Sequence, residues 1–389
     1  MTPVPLELPV RPAEAAAVAG LIFEQAERRA LTDELRARLA ARASVLRLAS
    51  LAPHFGSLER DPVHPSTYYL AVDGEGGQPL LLHMAAAHAP TSSLFRKPLL
   101  IGRMPRQNGP EMVINCLPFG PGDREDIERF AGQTDSRLLP RPTGPRAAIV
   151  AEAARPEVEF PAALTAFGAV AKRGGKNLAA LAGGAADYPC AVWAAIRTGW
   201  REGYSAGTTI ALEGGLEEAR EAIRQSAGCS RFTVALGKAM VSAGGLAPAL
   251  QAAEAVQECI RESRAALKVG RPFDFELDFE GAARPTSADD LAFCLEWMKA
   301  RGRAVQLAAP ELGEGRNPAA VLGELAAAAL PYGCVLAVSS RPEHDGETLA
   351  AIGRATLGRL SYRLKAGALP RGAADVAGAI RGAAARLFG

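Results

Sequence analysis

Beyond residue 111 the chain keeps to one alternation, a short apolar run followed by a stretch with helical spacing, and eight such runs are legible. They are "MVINC" (112–116), "AAIVAE" (147–152), "GTTIAL" (207–212), "FTVAL" (232–236), "FDFELDFE" (273–280), "AVQLAA" (304–309), "CVLAVSS" (334–340) and "RLSYRLKA" (359–366). Segments such as "LEEAREAIRQ" and "SADDLAFCLEWMKARG" lie between them. Strands separated by helices cannot pair as hairpins, and each returns parallel to the last through a crossover. Eight such units fit a closed barrel better than an open sheet. The expectation is an α/β fold, a (β/α)8 TIM-like barrel over 111–389, preceded by an N-terminal α+β extension or cap over 1–110. Within that extension, residues 12–50 read as one or two helices, rich in Ala, Leu, Glu and Arg. "TYYLAVDGEGGQPLLLHMAAA" reads as two strands around a turn.

Charge excludes several partner classes. The 44 Lys and Arg residues against 42 Asp and Glu leave +2, with no block of like charge, so neither nucleic acid nor an anionic membrane surface is an expected partner. A small molecule is, and a homo-oligomer is compatible with the composition. No apolar run reaches the roughly 18 residues that a membrane span needs. The N-terminal residues lack a basic region ahead of an apolar core, as a secretory leader would have. Cys116, Cys190, Cys229, Cys259, Cys294 and Cys334 form no C-x-x-C pair and read as reduced thiols of a cytoplasmic protein.

The run at 273–280 places Asp274, Glu276, Asp278 and Glu280 on one face of a strand and Phe273, Phe275, Leu277 and Phe279 on the other. Crowded carboxylates raise one another's proton affinity unless a cation sits among them, so a metal or an arginine is required, with Arg271, Arg284 and Arg341 as candidates. Barrels put functional groups at the C-terminal ends of their strands. That rule selects Asn115, Glu152, Lys238, Asp278, Glu280, Glu311 with Glu314, Lys365 and the "SSRPEH" loop, in which Ser339, Ser340 and Arg341 could hold an anion and His344 is the one imidazole. His54, His64, His83 and His88, without metal-ligand spacing, read as structural or surface residues.

The blocks "FGPGDREDIERFAGQTDSRLLPRPTGP" (119–145), "AAIRTGWREGYSAG" (194–207), "FELDFEGAARPTSADDLAFCLEWMKARG" (275–302), "VQLAAPELGEG" (305–315) and "RLKAGAL" (363–369) resemble, in order, motifs of the tagaturonate/fructuronate epimerase family. The resemblance implies a metal-dependent TIM barrel that interconverts two ketohexuronates by inverting C4. It implies imidazoles and carboxylates at strand ends around a divalent cation (Zn, Mn or Ni), which polarises substrate oxygens while neighbouring groups move protons. Matched positions are Glu276 and Glu280, the Pro285-Thr286-Ser287 helix start, Arg201 and Lys365. This makes Glu276, Glu280 and Lys365 the expected catalytic residues. Arg201, Lys238, Arg341 and Ser339 are the expected contacts to a sugar acid, and Asp278, Glu280 and His344 the expected metal ligands.

The chain departs from the family at three places. An Asp-His pair after "GWREGY" is replaced by Ser205 to Ile210, a second acid before the Pro-Thr-Ser segment by Gly281, and a histidine after the run at 334–338 by Ser339 and Ser340. Ligand sets act as a unit, so the losses open a second expectation, a homologue that binds a sugar acid or a partner protein without turnover. A third is a metal-free lyase or aldolase forming a Schiff base through Lys365 or Lys238.

Overall fold

In the computed structural model, eight parallel strands close on themselves. They are β1 (Ala148–Glu152), β2 (Ala179–Gly183), β3 (Ser205–Ile210), β4 (Arg231–Ala235), β5 (Asp274–Asp278), β6 (Leu307–Ala309), β7 (Val335–Ser339) and β8 (Leu360–Leu364). Each pairs with the next in sequence, and β8 pairs with β1, with Tyr362 opposite Ile149. Helices lie between the strands, so the fold is the expected (β/α)8 barrel. The structure describes residues 10–28, 31–63, 66–73, 77–87, 99–106, 109–174, 179–242, 244–266, 272–365 and 373–388.

Local sequence explains the register. Along β5, Phe275 and Leu277 are fully buried on the outward side, against the helices, while Glu276 points inward. The helix that follows, Ala288–Ala300, starts at a capping box: Asp290 donates its backbone N–H to Ser287 Oγ at 3.1 Å, and the Ser287 hydroxyl donates to the Asp290 carboxylate at 2.7 Å. Asp274, at the start of β5, accepts backbone N–H bonds from Thr143 (2.7 Å) and Gly144 (3.0 Å), which fasten the segment leading into β1.

One expected strand is misassigned and one is missing from the sequence reading. Met112–Pro118 is not a barrel strand; it pairs antiparallel with Pro79–Ala86, Leu82 opposite Cys116, in a six-stranded sheet. The eighth barrel strand is instead β2, whose sequence "AALAG" carries little β propensity because Ala and Gly fill it. The two errors cancel in the count but not in the order.

The chain divides into two compact units, Met1–Leu139 with Val192–Arg201, and Pro140–Ala191 with Glu202–Gly389. In the first, helices Pro12–Arg28 and Asp33–Ala43 accompany the antiparallel sheet, around a core that includes Ile22, Phe23, Tyr69, Leu82 and Ile114. His83 is buried there with its Nδ1 3.2 Å from the Asn115 amide, and His54 is packed edge-on to Trp193. His64 and His88 lie outside the described residues, as does Arg271. All six cysteines are buried thiols outside any disulfide. No helix among the described residues is long and apolar enough to cross a membrane.

Candidate functional site

The barrel interior is charged. Arg231, at the start of β4, donates from Nε to Glu276 Oε2 at 2.7 Å and from Nη1 to Ser361 Oγ at 3.1 Å, crossing from β4 to β8. Gly207 on β3 offers no side chain there, and the Arg231 stem lies over it. Arg363, on β8, pairs with the other Glu276 oxygen and reaches Asp278 Oδ2 at 3.2 Å. Thr233 donates to Glu276 at 3.3 Å. A carboxylate without water needs such partners, since isolated charge in a low-dielectric interior is costly. Burial pushes Arg363 down to about 9 and Arg231 down to about 10, so both remain cationic at neutral pH.

Toward the C-terminal ends of the strands the setting changes. Asp278 closes β5, and burial, reinforced by the neighbouring Glu280 carboxylate, pushes its carboxyl up to about 7. The Glu280 backbone N–H (2.9 Å), Lys365 and the Arg363 guanidinium act in the opposite direction. Glu280 is paired with Lys365 Nζ at 2.7 Å, and the lysine side chain remains 43% exposed. Lys365 donates its backbone N–H to Ser340 Oγ at 3.1 Å, joining the β8 end to the β7 loop. In that loop Arg341 lies 3.4 Å from Glu311. Burial works against the Glu311 charge, but the amides of Gly281 and Gly313 and the Arg341 guanidinium hold its carboxyl below the usual range. His344 is buried beside Tyr362, with Nδ1 3.3 Å from the tyrosine oxygen.

Two cavities open here. An inner one of about 240 Å³ is lined by Glu152, Gly183, Thr209, Arg231, Thr233 and Arg363, among others. An outer one of about 920 Å³ is lined by Ser340, Arg341, His344, Lys365 and the C-terminal helix, Ala373–Phe388. Glu152, the last residue of β1, borders both.

The structure therefore brings Asp278, Glu280, Lys365 and Arg363 together at one side of the mouth. The structure places several of the expected site residues away from both cavities. Glu276, expected to be catalytic, is fully buried beneath Arg231 and Arg363, whose guanidinium groups it holds; like Asp278 and Glu280 it lines neither cavity. Arg201, expected at the substrate, belongs to the N-terminal unit, where it binds Glu59, Asp135 (3.0 Å) and the Gly199 carbonyl (2.6 Å) with a side chain 6% exposed. Ser339 is buried in β7 and lines neither cavity; its neighbour Ser340 lines the outer one. Lys238 sits exposed on the short helix Leu236–Ser242, its stem near Gly281.

The expected metal ligands do not fit a cation. Asp278, Glu280 and His344 form no common cluster, and among the described residues no group of three or more His, Cys, Asp and Glu side chains is arranged to hold one. Each acid is neutralised by a protein cation, Asp278 by Arg363 and Glu280 by Lys365. Gly281, standing where the family carries its second acid, has φ +83°, a left-handed conformation that an acidic residue adopts only with strain.

Sequence reasoning missed Arg231 and Arg363, while Glu152 and Ser340 were among its strand-end candidates and line the cavities. The signal for one of them was present: Ser361, Arg363 and Lys365 alternate with Leu360, Tyr362 and Leu364, a basic counterpart to the acidic face of β5.

No protein-family model matches the chain, and no curated protein matches it. Solved structures do. A glycerol-complexed crystal structure of fructuronate-tagaturonate epimerase UxaE from Cohnella laeviribosi aligns with a TM-score of 0.56 at 14% identity, covering 85% of this chain and 74% of that one. The fold is shared. The native structure of the same enzyme gives 0.54 at 14% identity over 86% and 75% of the two chains, and a second glycerol complex gives 0.54 at 15% over 85% and 74%. At this identity the likeness establishes the barrel architecture, and the chemistry has to be argued from the residues of this chain.

Proposed function

We propose that the protein is a sugar-acid isomerase or epimerase of the barrel type, acting on a ketohexuronate or a close relative, with proton transfer centred on Asp278. The observation that carries this reading is the pairing of two acids with two cations near the C-terminal strand ends, Asp278 with Arg363 and Glu280 with Lys365, where Arg363 lines the inner cavity and Lys365 the outer one. Arg363 and Arg231, held rigid by Glu276, offer guanidinium groups to a substrate carboxylate. Asp278 has a carboxyl near neutrality, which suits a group that must both give and take a proton. Lys365 stabilises negative charge that develops on a substrate oxygen, and Glu152 and Thr209 supply further hydrogen-bonding groups to hydroxyls. No step is assigned to a metal, because the residues do not fit one. The shared fold with a fructuronate-tagaturonate epimerase and the motif resemblance favour hexuronates as the substrate class. Six buried cysteines outside any disulfide accord with a cytoplasmic location.

A second reading, binding of a sugar acid without turnover, is favoured by the left-handed Gly281 and by the neutralisation of each mouth acid. Imine chemistry has less support. Lys365 stands in an ion pair and Lys238 is exposed, whereas a Schiff-base lysine is desolvated or set beside another cation.

An NMR time course with tagaturonate, run with Mn²⁺, Zn²⁺ or Ni²⁺ and again with chelator, decides between these readings. Appearance of fructuronate, persisting with chelator, is the expected result. Binding without conversion would transfer the assignment to the second reading, and neither binding nor conversion would overturn both.

A further inference from the structure

The outer cavity is too large for the ligand the inner one suits. At about 920 Å³ it lies in the range that takes drug-sized molecules, and a six-carbon acid fills only a fraction of it. Its lining holds three cationic side chains, Arg341, Lys365 and Arg386, and one carboxylate, Glu152; from outside the lining Glu280 pairs with Lys365, and Glu311 with Arg341. One wall is the C-terminal helix, where Gly378 and Gly382 face the space; a Cβ added at either would meet nothing within 4 Å. Small residues leave room there without being required by the backbone.

A second observation points to what occupies that room. His344 is 9% exposed, lines the cavity, and has no hydrogen-bond partner for Nε2. Its Nδ1 is engaged 3.3 Å from the Tyr362 oxygen. When Tyr362 donates to Nδ1, the ring proton sits on Nε2 and requires an acceptor, and a buried donor left without one is costly. Cations together with an imidazole nitrogen that lacks a partner fit a receptor for a multiply charged oxyanion.

We propose that the outer cavity is a phosphate-binding subsite, so that the ligand of this barrel is a phosphorylated sugar acid. The carboxylate end then lies toward Arg231 and Arg363 and the phosphate toward His344, Arg341 and Arg386. The inference rests on the sugar-acid reading for the carboxylate end only; the phosphate end stands on its own residues. A phosphate brings close to two negative charges and three acceptor oxygens, which matches the lining better than a second carboxylate does.

Calorimetry on the intact protein with inorganic phosphate, gluconate, 6-phosphogluconate and tagaturonate tests it, alongside Arg386→Met and Ser340→Ala. Arg386 is exposed, so its substitution leaves folding intact, and a thermal melt checks this. The expected result is that 6-phosphogluconate binds at least about tenfold more tightly than gluconate, and that Arg386→Met removes about tenfold of that gain while leaving gluconate unchanged. Equal binding of gluconate and 6-phosphogluconate, with no binding of inorganic phosphate, would overturn the subsite and leave the sugar-acid reading in place. Inorganic phosphate binding that Arg386→Met weakens, with no binding of gluconate or tagaturonate, would support the subsite and remove the sugar-acid reading. A phosphate preference insensitive to both variants would place the phosphate elsewhere and overturn the proposal.

Discussion

The two ends of strand β5 treat the same kind of residue in opposite ways. At the N-terminal end Asp274 is fixed by two backbone N–H groups, and one turn of the pleat further Glu276 is fixed by two arginines. At the C-terminal end Asp278 is poised near neutrality, and Glu280 shares a lysine that is 43% exposed. The lesson is that an acidic face on a strand is not one site. Position along the barrel axis decides whether a carboxylate is locked by buried partners or left with a raised proton affinity near the mouth, and a family likeness read from sequence does not separate the two.

Three substitutions sharpen this contrast. Glu276→Ala strands two buried guanidinium groups, and we expect a loss of about 3–5 kcal/mol in urea denaturation, the largest effect on the strand. A loss under about 1 kcal/mol would mean that the interior network is not structural. Asp274→Asn removes a charged acceptor from the Thr143 and Gly144 amides and should cost about 1–3 kcal/mol, without changing ligand binding. Asp278→Asn is distinguished by sign. The folded carboxyl, at about 7, lies above its ordinary value of 3.8, so the native state holds the proton more tightly than the unfolded one. The stability this contributes is complete below pH 3.8 and is lost as pH rises through about 7. Asparagine stays neutral, so the variant should gain on the parent protein across that window; a constant difference from pH 4 to pH 8 would contradict the raised value.

Much of the barrel was legible because helix and strand periods alternate so regularly after residue 111. The mouth was half legible. Asp278, Glu280 and Lys365 sit at strand ends that the sequence marks by alternation, and the Ser287 helix start is a local signal that the capping box bears out. Arg201 was not legible, because its partners Glu59 and Asp135 are distant in sequence and no local pattern links them. The same holds for Arg231 with Glu276, a contact between strands 45 positions apart. β2 was lost to its own composition, since alanine and glycine carry no strand signal.

The central claim is that the mouth of the barrel carries a carboxyl ready to exchange a proton at neutral pH. Carboxyl ¹³C NMR of aspartate-labelled protein, titrated from pH 4 to pH 9, tests it directly, with Asp278→Asn assigning the resonance. The account predicts one aspartate with a midpoint near 7 that disappears in the variant and shifts when tagaturonate is added. A protein in which every aspartate finishes titrating below about pH 5, close to the ordinary value, would contradict it.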